Sequence, residues 1–353
     1  MKKIKLKVEN KDICLKFDDH FANLVKVNQS LNFGANKNYT KTGLTYVDVP
    51  EIVGITGACE NVDTLFKVGN RCGSALYISQ TGQLSLEQSL QSFNGVFTVI
   101  HSGRDEEKED ERHLRQFRLT EEEFDCSFAK MNRKNYDEEK MFKTLLNHIQ
   151  KAVQSMIKKV LKDNKDLLKN IYKRDIKALE KMANSNFYEI TYESAIKLLN
   201  KNGYPNLKFG EDLKAEHEAK VVLLMNKNKT EIPVFITKYP KEIKFFNMKV
   251  SQKDPRVVLS ADLILPYSGE STGSAVREHN YQKLKNRLLN STMYKLHQKR
   301  GGTLKDFKWY LDIIKSKKAS PHAGYGIGNE RVMQYILGTS DIRKVSLFTL
   351  LNK

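Results

Sequence analysis

The sequence has no apolar run that approaches the roughly 20 residues needed to cross a membrane. It begins with the basic stretch MKKIKLKVEN and carries no apolar segment of signal-peptide length, so we expect neither secretion nor a membrane partner. Its four cysteines are scattered and form no CxxC pair: Cys14, Cys59, Cys72 and Cys126. This pattern is typical of reduced thiols, argues against a structural zinc site and indicates a cytoplasmic protein.

The sequence also has no internal repeat, no low-complexity linker and no GxxxxGK[ST] loop. A bound nucleotide would therefore need a different arrangement of residues. The composition is that of a globular protein, with 40% hydrophobic and 29% charged residues over 353 positions. That length fits one large α/β domain with insertions, or two ordinary domains.

The formal net charge of +18 has two interpretations. It attracts the phosphates of a nucleotide or a nucleic acid, or it reflects lysines spread over a solvated surface. Between Tyr281 and Lys318, eleven Lys/Arg residues stand against two acidic ones, Asp306 and Asp312. We interpret this block as either a contact for a polyanion or an exposed helical connection.

Hydrophobic periodicity predicts the order of the elements. A strand or hairpin (KLKVENKDICLKF) is followed by a capped amphipathic helix (DDHFANLVKVNQSLNF), and residues 138–183 are predicted to form a helical hairpin. Further strands are predicted at GLTYVDVPEIV, ALYISQ, GVFTVIHS, QFRLT, IPVFITKY, EIKFFNMKV and RVVLSADLILP, and a helix at NERVMQYILG after the glycine-rich turn HAGYGIG. Strands at both ends with helices between them favour an antiparallel α+β sheet over a doubly wound parallel one.

Reactive side chains collect in the segment GRDEEKEDERHLRQFRLTEEE. Arg104 and Glu106 are two residues apart at the end of a predicted strand, so they can share a face. Arg112, His113 and Phe117 follow an acidic, turn-prone loop. An arginine can clamp a phosphate, a glutamate can accept from an amino group and a phenylalanine can stack on a base. The alternative interpretation is a solvated charged hairpin.

Two later segments carry similar chemistry. In ADLILPYSGESTGSAVRE, Asp262 and Glu270 can converge on one Mg²⁺ across a Pro/Gly break, and Arg277 can reach a carboxylate or an amide. In PHAGYGIGNERVMQYILG, glycines let the backbone approach a ligand, and Arg331 in the first turn of a helix favours polyphosphate. Carboxylates at surface turns and glycine-rich turns before helices are both common, so each segment alone is weak evidence.

Taken together and in this order, the three segments resemble motifs two and three of the class II aminoacyl-tRNA synthetases, in the asparaginyl/aspartyl branch. GLTYVDVPEI is similar to motif one, with Pro50 at the usual dimer-forming position. The resemblance covers roughly residues 20–348 and continues through LFKV, TGQLSLEQ, FGEDLKAEHE, PVFITKYPKEIKFFNMK and DLILPYSGE. It implies an α+β fold with an antiparallel β-sheet flanked by helices, and a homodimer. It also implies an extension at 1–20, a catalytic domain at 21–353 and a helical insertion at about 136–202, between motifs two and three.

The resemblance implies that ATP and Mg²⁺ activate asparagine or aspartate as an aminoacyl-adenylate. The implied catalytic residues are Arg104 on the α-phosphate, Arg331 on the γ-phosphate and Glu270, which would carry Mg²⁺ with Asp262. Glu106 and Phe117 would bind the adenine, Arg112 would bind ATP, and His113 would touch the terminal phosphates. Glu60, Gln83 and Glu121 would surround the substrate α-amino group, and Arg277 would face the substrate side chain.

One position bears on the choice of amino acid. Aspartyl enzymes of this branch carry a lysine three residues after the glutamine that matches Gln83, and this chain has Leu86 there, as asparaginyl enzymes do. Without that cation an aspartate side chain would lose a charge-assisted hydrogen bond, which favours asparagine. Leu86 is alternatively a core residue with no contact to the substrate.

One departure from the family concerns the acyl acceptor. Only about twenty residues precede the first core helix, too few for the family's anticodon-binding OB-fold, so we expect weak charging of full-length tRNA. The tRNA acceptor stem, ammonia and another amine remain open as acceptors, and a stand-alone asparagine synthetase that uses aspartate is one alternative. The other is a non-catalytic paralogue that binds an amino acid, a nucleotide or RNA.

Overall fold

The computed structural model describes residues 5–8, 11–14, 19–54, 62–69, 76–227, 229–316 and 319–347. Their strands are β1 (Lys5–Val8), β2 (Lys11–Cys14), β3 (Thr45–Tyr46), β4 (Ile52–Val53), β5 (Lys67–Val68), β6 (Leu76–Ile78), β7 (Gly95–Gly103), β8 (Gln116–Asp125), β9 (Tyr188–Thr191), β10 (Val234–Thr237), β11 (Ser260–Leu265), β12 (Gly269–Val276) and β13 (His322–Gly328). Their α-helices are α1 (Asp19–Thr42), α2 (Gln83–Ser89), α3 (Glu138–Asn170), α4 (Ile176–Asn184), α5 (Tyr192–Asn200), α6 (Ala215–Met225), α7 (Tyr281–Asn290), α8 (Thr292–Lys299), α9 (Lys308–Lys315) and α10 (Asn329–Leu337).

A mixed eight-stranded sheet organises the molecule, in the order β3-β7-β8-β13-β12-β11-β10-β9. The pairings from β7 through to β10 are all antiparallel, whereas the edge strands β3 and β9 pair parallel to their neighbours. The predicted α+β fold is confirmed, and the central strands of the sheet pair antiparallel as predicted. The two edge strands differ, because they pair parallel to their neighbours. Strand β9 lies in the predicted helical insertion, so that segment contributes a strand as well as helices.

The long helix α3 packs with α1 in the main apolar core beside the sheet. Asp137 caps its N-terminus, because the carboxylate accepts from the backbone N–H groups of Glu139 and Lys140. Buried side chains recur at three- and four-residue spacing, including Met141 and Leu145. Helix α4 packs against α3, as the predicted hairpin requires. None of the helices in the described ranges combines the length and the apolar character that a membrane crossing requires.

A small helical unit formed by α7, α8 and α9 has an apolar cluster of its own, which includes Leu284, Phe307 and Tyr310. It packs against α2, whose Leu84 joins the same cluster. The basic block between residues 281 and 318 is therefore an exposed helical connection, the second of the two interpretations above, in so far as it is described. Its exposed lysines leave the first interpretation, a polyanion contact, open.

The segment that resembles motif one forms two short strands rather than one. β3 joins the edge of the large sheet, and β4 pairs with β6 in a separate three-stranded sheet. Pro50 lies between them, where the missing N–H group interrupts strand pairing. Tyr46 and Ile52, on either side of the proline, expose 53% and 55% of their surface.

Two predicted elements were wrong. The stretch EIKFFNMKV forms turns with isolated bridges at Met248 and Val250, because its apolar side chains separate into different clusters, with Phe246 in one and Met248 in another. The glycine-rich HAGYGIG is the central strand β13 rather than a turn. A Cβ atom on Gly324 would lie 2.0 Å from the Glu123 carboxyl carbon, so the glycine makes room for a side chain of the neighbouring strand.

We expect Gly324→Ala to lower the free energy of unfolding by about 1–3 kcal/mol, since the added methyl group must displace the buried Glu123 carboxylate. Gly54→Ala is the matched control, because a Cβ there meets nothing within 4 Å. Urea denaturation of both variants and the parent chain measures the difference. Equal midpoints for the two variants would contradict this explanation of the glycine.

Candidate active site

A cavity of about 460 Å³ opens on the face of β8 that carries Glu121 and Glu123. Eleven of the twelve residues predicted for the site line it: Gln83, Arg104, Glu106, Arg112, His113, Phe117, Glu121, Asp262, Glu270, Arg277 and Arg331. The twelfth, Glu60, lies outside the described residues. Segments that are more than 200 residues apart in the sequence thus contribute to one cavity.

Three arginines gather at one end of the cavity. Arg331, in the first turn of α10, donates to the carbonyl oxygens of Ser268 and Arg112, at 2.5 Å to the latter. Burial lowers the pKa of Arg331, and the neighbouring Arg112 lowers it further. Arg112 faces the buried Glu218 at 3.9 Å. Guanidinium groups held this close to one another form a binding site for a polyanion such as a triphosphate.

Beside the arginines, Phe117 and Glu106 provide an apolar face and a carboxylate. The Arg104 guanidinium lies 5.4 Å from the centroid of the Phe117 ring. Arg115 donates to the carbonyl oxygens of Glu106 and Glu107, both at 2.8 Å, and so anchors the backbone that carries Glu106. A planar base can stack on the phenyl ring and donate an amino group to the carboxylate.

The loop between β7 and β8 is shaped by Asp110. Its Oδ1 atom accepts from the backbone N–H groups of Arg112 and His113, at 2.8 and 2.9 Å, and faces Nδ1 of His113 at 3.0 Å. Burial opposes ionisation of Asp110, but these hydrogen bonds outweigh it and lower the pKa of Asp110. An ionised aspartate therefore holds the two residues that were predicted to meet ATP.

Two carboxylates project from adjacent strands beside the arginines. Asp262 lies on β11 and Glu270 on β12, next to an irregularity in the strand register at Leu263 and Ile264. The nearby Asp262 charge, together with burial, raises the pKa of Glu270. Lys244 donates to Asp262 Oδ2 at 2.6 Å. Carboxylate oxygens crowded in this way suit a hard divalent cation.

At the other end of the cavity, Glu121 is tied to the turn before α2. It accepts from Gly82 N at 2.7 Å and from Thr81 Oγ1 at 2.5 Å. Burial outweighs these bonds and raises the pKa of Glu121 to about 7. Because an ionised carboxylate is costly to bury, a cationic partner would stabilise Glu121. The α-ammonium group of an amino acid is such a partner.

Arg277 lies in the same end of the cavity and is 97% buried, with an exposed fraction of 3%. It forms an ion pair with Glu123, 2.5 Å between Nη2 and Oε1. Burial raises the pKa of Glu123, and the Arg277 charge opposes that rise. Because the positive charge of Arg277 is already matched, a neutral polar side chain suits this place better than an anionic one.

The chain is similar to known proteins in sequence and in fold. The family model of class II tRNA synthetases (D, K and N) matches residues 4–352. The chain belongs to this family. An asparagine–tRNA ligase of Pyrococcus furiosus is 32% identical over 326 residues, which cover 92% of this chain and 67% of that protein.

Solved structures of class II synthetases agree with this assignment. Asparaginyl-tRNA synthetase from Pyrococcus horikoshii in complex with asparaginyl-adenylate superposes with a TM-score of 0.79 at 30% identity, covering 93% of this chain and 68% of that one. The Entamoeba histolytica asparaginyl-tRNA synthetase gives a TM-score of 0.75 at 26% identity, covering 94% and 68%. The fold and the family that the sequence motifs indicated are therefore confirmed.

Several charged residues at this cavity were not predicted, among them Lys244, Glu123 and Glu218. Lys244 and Glu218 lie in stretches that resemble the family, YPKEIKFFNMK and FGEDLKAEHE, so the sequence offered a signal. Glu123 lies two residues after Glu121 on a strand, and that spacing places both side chains on one face. Burial, followed by the Glu270 and Asp262 charges, raises the pKa of Glu218 to about 8.

The raised pKa of Glu121 predicts a pH-dependent KM for the amino acid. Below about pH 7 the carboxyl group takes up a proton and no longer attracts an ammonium group, so KM should rise about tenfold per pH unit. Adenylation assays between pH 5.5 and 8.5 measure this dependence, and Glu121→Gln should show a high KM that does not change with pH. The same slope in both proteins would rule out Glu121 as the titrating group.

Proposed function

We propose that this chain activates asparagine with ATP and Mg²⁺ as asparaginyl-adenylate and transfers the asparaginyl group to tRNA. The observation that carries the proposal is the division of one cavity into two ends. One end gathers three arginines and two carboxylates, and the other places Gln83, Glu121 and Arg277 around a space for an amino acid. The similarity to asparagine–tRNA ligases supports the same substrate.

The reaction needs positioning and charge stabilisation more than proton transfer, since the substrate carboxylate is itself the nucleophile. Arg104, one of the three arginines, can hold the α-phosphate where negative charge develops. Arg331 and Arg112 bind the leaving phosphates. Arg331 is fixed by its bonds to two backbone carbonyl oxygens, so this side chain needs little reorganisation when ATP binds.

Mg²⁺ fits the carboxylate pair. Asp262 and Glu270 offer oxygen ligands. The Asp262 charge and burial raise the pKa of Glu270 and outweigh the opposing charges of Lys244, Arg104 and Arg331, so a further cation would stabilise the pair. The described residues contain no cluster of three or more His, Cys, Asp or Glu side chains arranged for a metal. Water and ATP phosphate oxygens would therefore complete the coordination, as is usual for Mg²⁺, which neutralises charge on the phosphates when bound.

The end of the cavity that would hold the substrate side chain favours asparagine over aspartate. An asparagine amide can donate to Glu123 and accept from Arg277, whereas an aspartate carboxylate would have to share the single positive charge of Arg277 with Glu123. Leu86 lines the cavity and also packs with Val49 in an apolar cluster, which is compatible with either interpretation of this residue.

We expect Arg331→Ala and Glu270→Ala each to reduce ATP–pyrophosphate exchange by at least about 100-fold, because each change removes a desolvated charge contact to phosphate or metal. Parallel assays with the twenty amino acids should show asparagine as the preferred substrate. Arg256→Ala is the control, since this exposed arginine pairs with Asp254 away from the cavity. Near-normal exchange in both active-site variants would refute the adenylation proposal.

We also expect a homodimer through the surface around Pro50. Tyr46 and Ile52 expose apolar surface beside the short edge strand β3, and a second copy would cover both. Ile52→Lys should shift the chain from dimer to monomer in analytical ultracentrifugation at micromolar concentration. Ile171→Lys, at a position that is 57% exposed, should not. A parent chain that sediments as a monomer would contradict the proposed dimer.

The exposed lysines of the α7–α9 unit predict a contact with tRNA phosphates. Replacing Lys295, Lys299 and Lys305 by alanine should weaken tRNA binding at low salt. It should also make the slope of log K against log[salt] less steep by about 2–3. Pyrophosphate exchange should be unchanged, because these lysines lie outside the cavity. A matched triple replacement of exposed lysines on α3 is the control: Lys158, Lys162 and Lys169.

Binding affinity is compared for asparagine tRNA and unrelated tRNAs. Charging of these tRNAs, and amide formation from aspartate and ammonia, are measured in the same preparations. Because phosphate contacts carry no base information, the triple replacement should weaken all tRNAs alike. Loss of affinity for asparagine tRNA alone would contradict a phosphate contact. Amide formation without charging would contradict tRNA as the acceptor.

A further inference from the structure

A buried carboxylate behind the amino-acid end of the cavity has no role in the site described so far. Glu87 lies on α2, one helical turn after Gln83, and its exposed fraction is 5%. Its Oε1 atom accepts from Gln83 Nε2 at 2.7 Å. Its Oε2 atom accepts from the Tyr310 hydroxyl at 2.8 Å and faces His322 Nε2 at 3.0 Å. Glu87 thus joins three elements, α2, α9 and β13, at one point.

The surroundings keep Glu87 ionised. His322 Nδ1 lies 2.8 Å from the Ser320 carbonyl oxygen, which only accepts, and its Nε2 faces a carboxylate, which also only accepts. Both ring nitrogens therefore donate, and the ring is an imidazolium. Burial alone would raise the pKa of Glu87, but the bond and charge interaction with His322 outweigh burial and lower it. Burial would likewise lower the pKa of His322, and the contact with Glu87 raises it.

An ionised Glu87 determines how Gln83 presents its amide. A carboxylate oxygen cannot donate, so Gln83 must turn its NH₂ group toward Glu87. Its carbonyl oxygen is then the atom that this cavity-lining residue offers to a ligand. The opposite orientation would direct N–H groups at an ammonium group, which has only donors, and would lose the hydrogen bond.

We propose that Glu87 is a positioning residue for the amino-acid substrate, because it fixes the Gln83 amide with its carbonyl oxygen toward the α-ammonium group. Tyr310 and His322 hold Glu87 in place from the helical unit and from β13. This inference rests on the proposed function, since it needs an amino acid in the cavity. Glu87 acts through Gln83 and does not itself contact the substrate.

The chain offers a matched control in Glu122. This carboxylate is 1% exposed, faces His148 Nδ1 at 2.6 Å and accepts from the Tyr325 hydroxyl. It has the same two kinds of partner as Glu87, a histidine and a tyrosine, but it points from β8 toward α3. Removing either buried carboxylate should therefore lower stability. Only the removal of Glu87 should change KM for the amino acid.

The test compares Glu87→Met, Glu87→Gln and Glu122→Met in ATP–pyrophosphate exchange, with thermal denaturation alongside. Glu87→Met should raise KM for asparagine about tenfold or more, while KM for ATP changes by less than about twofold. Glu87→Gln should restore KM for asparagine to within about threefold of the parent. Its amide oxygen still accepts from Gln83, and its NH₂ group can donate to a neutral His322. Glu122→Met should lower the melting temperature without changing KM for asparagine.

Glu87→Asp carries the test if Glu87→Met does not fold. It keeps the charge beside His322, but it is one methylene shorter and withdraws the acceptor from Gln83, so KM for asparagine should again rise alone. An unchanged KM for asparagine, an equal rise in both KM values, or no rescue by Glu87→Gln would overturn the proposal. If the parent chain activates no amino acid, the proposed function fails instead, and the two failures are thereby distinguished.

Discussion

Three consecutive glutamates are buried in β8, and each would destabilise the fold by several kcal/mol if its charge lacked a partner. Because successive side chains of a strand point to opposite faces, their partners must come from both layers of the structure. The middle one, Glu122, meets His148 of α3 in the core layer. Glu121 and Glu123, on the other face, meet the turn before α2 and the end of β12, where Arg277 lies. The position of β8 therefore defines both the core and the cavity.

This constraint extends to the neighbouring strand. Gly326 and Gly324 of β13 are paired in register with Glu121 and Glu123. A methyl group at either position would lie 3.3 Å or less from the facing carboxylate. The glycines that look like a ligand-binding turn in the sequence are thus needed by the glutamates. In the proposed function, the side chain of Arg331 just beyond them binds the phosphates.

Much of the site could be predicted because its residues lie in short, recognisable segments. Arg104, Glu106 and Phe117 share a hairpin, and local spacing together with the family resemblance was sufficient to group them. The partners of buried charges could not be predicted in the same way. Glu123 and Arg277 are 154 residues apart, and Glu87 and Tyr310 are 223 apart, so only the fold shows that they meet. Strand prediction failed at EIKFFNMKV for a related reason, since long-range packing rather than alternation decides that segment.

In the proposed function, the choice of amino acid depends on these long-range contacts as much as on which residues line the cavity. Arg277 alone would attract an anionic side chain, but the ion pair with Glu123 removes that preference. Gln83 alone could present either end of its amide, but the bond to Glu87 selects one. Glu123 lines the cavity beside Arg277, whereas Glu87 lies behind the cavity wall. A relative that kept every lining residue but changed Glu87 would therefore have the same cavity shape and a different chemical preference. The identity of the lining residues is for this reason insufficient evidence for the substrate, and the partners behind them have to be compared as well.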